Sequence, residues 1–259
     1  MRKLLIRADD LGYSRSVNYG IFDAVHFGII NNVGVMTNMP TTPYALELLK
    51  DENIDLGMHT NISNGKSVLN ASQVPSLVDE DGNFKSSHVY RENFRLGRPD
   101  FVELDEVVAE IEAQYGQFFK LIGKKPDYFE GHAVMSPNFR KGLKIVADKY
   151  DLPFLDFPVS ASISFKKNTH FKVYMGGYKE GKIDPSYKPI DLLKNAVEQE
   201  EKDLIPMFIS HAGYLDNYLL QHSSLTVPRV KEAACWIDKS TIDYIAENQI
   251  KLVRYSECD

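Results

Sequence analysis

Seven short apolar runs recur along this chain, most of them stopping abruptly in polar or charged residues, with helical patterns between them. The runs are Leu4-Leu5-Ile6, Val33-Gly34-Val35-Met36, Asp55-Leu56-Gly57-Met58-His59, Asp127-Tyr128-Phe129-Glu130-Gly131-His132, Phe154-Leu155-Asp156-Phe157, Pro206-Met207-Phe208-Ile209-Ser210-His211 and Ile250-Lys251-Leu252-Val253. Runs of this length, bounded by turn residues, read as buried strands. Helical spacing follows from Ser16, an expected N-cap, and again over 44–52, 104–122, 138–150, 192–201, 227–238 and 241–248, with Gly123 closing the third of these helices. Strand alternating with helix implies parallel pairing through crossovers. The expected architecture is a closed or nearly closed (β/α) barrel. An open doubly wound sheet is the alternative, but its nucleotide-binding versions lose support because the chain has neither GxGxxG nor GxxxxGK[ST]. Two stretches, near 61–100 and 158–188, lack a clear period. They are long for loops inside a domain, which points to function or to a covering lid.

At 259 residues, the chain can bury such a core as one domain, 1–259, without disulfides. Cys235 and Cys258 are too few for a disulfide scaffold and form no CxxC pair for structural zinc. The net charge of −6 argues against nucleic-acid binding. The first apolar run meets charge at Arg7 and is too short for a signal peptide. No stretch approaches the roughly 20 apolar residues that span a bilayer. A soluble, cytoplasmic enzyme with no membrane partner is the expectation.

Active sites of α/β barrels lie at the carboxyl ends of the strands. Here the strand ends carry Asp9-Asp10, His59, Glu130-Gly131-His132 and His211. Adjacent carboxylates on a strand point to opposite sides. One can then ligate a cation while the other stays free as a base; a solvated turn is the plain alternative. His59 and His132 are each as easily structural, but with Asp10 they make a two-histidine, one-carboxylate set, a standard catalytic divalent-metal site. Ligand type leaves zinc, iron, cobalt, manganese and magnesium open, and nitrogen donors favour the transition metals. Gly131 would let backbone approach a ligand. His211 reads as an acid for a leaving group, or as a fourth ligand or loop histidine. His26, His88, His170 and His222 read as surface or structural. The cysteines lack activating neighbours and no GxSxG elbow is present, so thiol and serine nucleophiles are not expected. Aromatics of the irregular stretches (Phe84, Tyr90, Phe94, Phe165, Phe171, Tyr174, Tyr178, Tyr187) are more often packing than sugar platforms.

These motifs resemble those of the YdjC-like carbohydrate deacetylases, also called chitooligosaccharide deacetylase-like proteins. Leu5-Ile6-Arg7-Ala8-Asp9-Asp10-Leu11-Gly12-Tyr13-Ser14, followed by Val17-Asn18-Tyr19-Gly20-Ile21, is similar to that family's opening "ADDFG-S--VN-GI". Leu56-Gly57-Met58-His59-Thr60-Asn61, Lys125 to His132, His211-Ala212-Gly213-Tyr214 and Val227 to Glu232 resemble its later segments in order. The resemblance implies a distorted (β/α) barrel of the glycoside hydrolase/deacetylase type. It implies one divalent metal, magnesium, on Asp10, His59 and His132, with Asp9 as general base and His211 as general acid. It further implies a homodimer acting on N-acetylated sugars from chitin breakdown. Arg7, Glu130 and Arg229 are expected to contact substrate. Arg7 stands where the family usually has asparagine, Ala133 to Ser136 where it has further histidines, and Ala212 where it has proline. These departures leave room for a phosphorylated or differently acylated sugar, whose anionic group Arg7 could meet. The competing functions are a non-catalytic sugar-binding or regulatory protein, a structural metal, and a metal-dependent isomerase or glycosidase. The glycosidase would need a carboxylate pair such as Glu130 and Asp156.

Overall fold

Strand β1 (Lys3–Leu11) is buried on both faces from Leu4 onward, as a strand inside a helix-covered parallel sheet must be. Leu4, Ile6 and Ala8 pack under the helices, whereas Leu5 joins a second core inside the barrel. Arg7 and Asp9 continue the inward series. The remaining strands are β2 (Asn32–Val35), β3 (Asp55–Thr60), β4 (Phe129–Gly131), β5 (Ser162–Phe165), β6 (Thr169–Tyr174), β7 (Tyr178–Lys179), β8 (Lys182–Ile183), β9 (Ile205–Ser210) and β10 (Lys251–Val253). The helices are α1 (Arg15–His26), α2 (Thr42–Leu48), α3 (Ser87–Arg95), α4 (Leu104–Ile122), α5 (Pro137–Tyr150), α6 (Pro189–Glu198), α7 (Asn217–His222), α8 (Val227–Ile237) and α9 (Lys239–Glu247). This computed structural model describes residues 2–157, 162–179, 182–199, 201 and 203–259.

The sheet runs β4-β3-β2-β1-β9-β6-β5, and β10 pairs with the start of β1. Its pairings are parallel except for antiparallel β5–β6; β7 and β8 pair antiparallel in a separate two-stranded sheet. The fold is the expected distorted (β/α) barrel. The expected strand at 154–157 shrinks to one parallel bridge, Phe129 to Phe154. Among the described residues no ladder joins Phe154 to β5, although Leu155, Ile163 and Phe165 meet in the inner core. In that core Tyr128, Met207, Val253 and Tyr255 fill the barrel, which is therefore packed rather than hollow at this level.

The long helix α4 ends as expected at Gly123, whose φ of 81° is the left-handed cap conformation. Three details differ from the sequence reading. The N-cap of α1 is Ser14, whose side chain accepts from the Val17 N–H; Ser16 lies within the first turn. The stretch 61–100 contains α3. The stretch 158–188 contains β5 to β8, part of it outside the described residues.

Candidate active site

Asp9 and Asp10 both face one cavity of about 910 Å³ at the carboxyl ends of the strands. Simple strand alternation would have put them on opposite faces. The pairing of β1 with β2 shifts register between Ala8 and Leu11, and Asp10 has a φ of 76°. This bulge turns Asp10 back toward the side Asp9 already faces. A left-handed non-glycine residue stores strain, and aspartate is among the side chains that tolerate it best. Gly34 on β2 makes room alongside: a Cβ there would come 2.9 Å from Asp9 Oδ1.

Asp10 Oδ1, His59 Nε2 and His132 Nδ1 converge. The histidine nitrogens lie 3.2 and 3.0 Å from the oxygen and 2.8 Å from each other. Asp10 Oδ1 is buried without a hydrogen-bond partner. His59 Nδ1 bonds Glu130 Oε1, which fixes the tautomer and turns the Nε2 lone pair toward Asp10 and His132. Three donor atoms at ligand spacing, one of them a buried orphan, fit a divalent cation. Charge agrees. Asp9, Asp10 and Glu130 face the guanidinium groups of Arg7 and Arg229, leaving one negative charge in excess. Without a cation, burial works against a charged His59, yet Glu130 and Asp9 raise its pKa well above the usual imidazole range. A cation bound at Nε2 would take the place of that proton and meet the same excess negative charge.

Arg7, Glu130 and Arg229 line the cavity, but their charged ends are engaged by other site residues. Arg7 Nη2 donates to Asp9 Oδ2 at 2.8 Å and lies 3.5 Å from Glu130. Arg229 Nη2 donates to Asp10 Oδ2 at 2.6 Å. Burial raises the Asp9 pKa while Arg7 pulls it down, and the net direction is upward. Asp9 Oδ1 has no hydrogen-bond partner. Gly131 lines the cavity, and its lack of a side chain also serves packing: a Cβ there would strike Leu143 and Phe139 of α5 at 2.7 Å. The glycosidase pair is not assembled either, since Asp156 bonds Arg140 on the outside while Glu130 is buried against His59.

His211 follows the last residue of β9 and opens partly onto the cavity. Its dense surroundings push its pKa down to about 3, so the ring stands neutral at pH 7. Behind it lies Glu232 of α8, absent from the sequence-derived site. Its carboxylate accepts from Tyr187 Oη at 2.7 Å, Ser210 Oγ at 2.9 Å and the His211 N–H at 2.6 Å. Burial pushes the Glu232 pKa up to about 7 despite these bonds. The folded protein thus holds this proton more tightly than the unfolded chain does. The stability it confers is complete below about pH 4 and is lost as pH rises through about 7. A shift of that size corresponds to about 3 kcal/mol at most. Between pH 5 and pH 8, urea unfolding should therefore show Glu232→Gln gaining on wild type by up to that amount. A constant difference would disprove the shift.

Other cavity residues also escaped the sequence reading. Ser87, His88 and Arg91 of α3 line one wall, and Met175 and Tyr178 another. His88 and His222, read from sequence as surface or structural, also line this cavity. Asn64, just beyond β3, lies 3.3 Å from His132 Nε2. Tyr178 is the one cavity-lining member of the eight aromatics considered; Phe94 is exposed and the other six are buried in packing. No described helix is long and apolar enough to cross a membrane.

A sequence profile of the YdjC-like protein family matches residues 3–247. "Carbohydrate deacetylase 2" of Listeria innocua is 28% identical over 98% of this chain and 98% of its own length. "Carbohydrate deacetylase" of Halalkalibacterium halodurans is 31% identical over 89% of this chain and 93% of its own. In fold, the chain is similar to a crystal structure from Enterococcus faecalis V583, described as a candidate cellobiose-phosphate cleavage protein. The TM-score is 0.79 at 24% identity, covering 98% of this chain and 97% of that one.

Proposed function

Because the chain belongs to the YdjC-like family, we propose that it is a carbohydrate deacetylase, a hydrolase that removes the acetyl group from N-acetylated sugars or chitooligosaccharides. One observation carries this reading. Asp10, His59 and His132 meet within 3.2 Å beside Asp9, a carboxylate with one oxygen free of hydrogen bonds. The names of the relatives support the substrate class.

Asp10, His59 and His132 would hold one divalent ion, which when bound would supply Lewis-acid polarisation of the acetamide carbonyl and of water. Asp9 takes the proton of the attacking water on Oδ1. Arg7 keeps Oδ2 occupied, so the basic atom is defined. His211 passes a proton to the sugar nitrogen as the C–N bond breaks, and acetate and a free amine leave. Because the ring is neutral in the free protein, it takes that proton from solvent as negative charge develops beside it, and Asp9 returns the proton it took from water to solvent once acetate and amine have left. Glu130 orients His59, and Arg229 orients Asp10. The proposal includes Mg2+ as the ion and a homodimer, both drawn from the family likeness, and a single domain and a cytoplasmic location, both carried over from the sequence reading; two nitrogen donors would also suit Zn2+.

The test is acetate release from N-acetylglucosamine oligomers. Release is expected from at least one oligomer, abolished by chelator and restored by a divalent ion. No acetate from any acetylated sugar, together with tight sugar binding, would overturn the reading in favour of a binding protein.

A further inference from the structure

We propose that Glu232 is a positioning residue for this reaction: from α8 its carboxylate fixes the backbone where β9 ends and so aims His211 into the cavity. This rests on the deacetylase reading. β9 ends at Ser210, and the next N–H, that of His211, bonds Glu232 Oε2 at 2.6 Å instead of a neighbouring strand. The same oxygen accepts from Ser210 Oγ at 2.9 Å. Ser210 Oγ in turn accepts from the Ala212 N–H at 3.1 Å and from Trp236 Nε1 at 2.7 Å. Arg229 adds its carbonyl to the Gly213 N–H at 3.3 Å. Residues 210–213 are thus gripped by Arg229, Glu232 and Trp236, which share one face of α8 at helical spacing.

Glu232 is 1% exposed and has no ion pair among the described residues. Burying a carboxylate that way is costly, and holding a reacting side chain in place is a role that accounts for it. All three of its partners donate, so an acceptor-only group fits. Glutamine can preserve most of this. Its oxygen can take the Ser210 and His211 bonds while its amide donates to the Tyr187 oxygen. Alanine leaves all three donors without a partner.

The experiment is acetate-release kinetics on the ion-loaded protein. Glu232→Ala should lower kcat by roughly tenfold or more, with KM within about twofold and bound metal unchanged, and Glu232→Gln should recover most of the loss. In a His211→Ala background, Glu232→Ala should cost nothing further, because residues acting as a unit are non-additive. If Glu232→Ala does not fold, Tyr187→Phe, which frees one carboxylate oxygen, should give a smaller loss confined to kcat and absent in the His211→Ala background. A Glu232→Ala kcat within twofold of wild type, or an equal loss with and without His211, overturns the inference. A wild-type protein that releases no acetate overturns the deacetylase reading instead.

Discussion

Asp9→Asn is expected to lower kcat by on the order of 10²–10⁴ while the protein keeps its metal. Asparagine is isosteric, so the shape of the site should persist. What it lacks is the basic oxygen. In the wild type, Asp9 Oδ2 is held by Arg7 at 2.8 Å and Oδ1 has no hydrogen-bond partner, so only one atom is available to accept water's proton. Asp9 is not among the donors Asp10, His59 and His132; it falls in a second cluster with His59 and Glu130, whose other two members already bond each other and whose Asp9 Oδ2 is held by Arg7. Arg7 would still have Glu130 at 3.5 Å. His59→Ala is the contrasting variant, expected to lose both metal and turnover. Metal content by mass spectrometry and acetate release on the same preparations decide between the roles. Equal metal loss in both variants would show that Asp9 is a ligand rather than the base.

Much of this site could be read in the sequence because strand periodicity is simple. Leu5, Arg7 and Asp9, Gly57 and His59, Tyr128, Glu130 and His132, and Met207, Ile209 and His211 each step by two, and these series face the inner core or the cavity. Their partners at the next position, Ile6, Met58, Phe129 and Phe208, pack under the helices. Asp10 broke the rule because a bulge overrides alternation, and nothing in Asp9-Asp10-Leu11-Gly12 specifies a register shift. α3 was missed because Tyr90 is its one buried residue, leaving no apolar stripe to detect. β5 did carry a signal: Ile163 and Phe165 are buried while the serines between them are exposed. The breakers Gly176, Gly177 and Pro185 nearby masked it. Glu232 could have been found as a carboxylate on the buried face of α8, in step with Arg229 and Trp236. Arg7 and Arg229 were legible as charged residues near the site but not as ion-pair partners, because pairing depends on side-chain direction in three dimensions.

Arg229→Met should remove about 3–5 kcal/mol of stability from the metal-free protein. The guanidinium donates to Asp10 Oδ2 at 2.6 Å, and both side chains are almost fully buried. Methionine keeps the apolar stem and removes the charge, so Asp10 would be left as a buried anion without its main partner. Burial works against ionised Asp10, yet Arg229, with His132 and His59, holds its carboxyl well below the usual carboxylate range. A depressed folded pKa gives stability that is present above the ordinary carboxylate range and lost as pH falls toward the folded value. The gap between wild type and variant should therefore be widest near pH 7 and shrink on acidification below about pH 4. Loading the protein with a divalent ion should narrow it too, because a cation on Asp10 Oδ1 offsets the unpaired charge. Arg229 also donates to the Leu225 carbonyl at 2.9 Å, and that lost bond should persist as a smaller, ion-independent cost. Urea unfolding with chelator and with ion, at pH 7 and pH 4, separates the two contributions. A loss below about 1 kcal/mol in chelator would place the pair with solvent-exposed salt bridges and contradict its burial. A loss unchanged by the ion would mean that Asp10 is not where the cation sits.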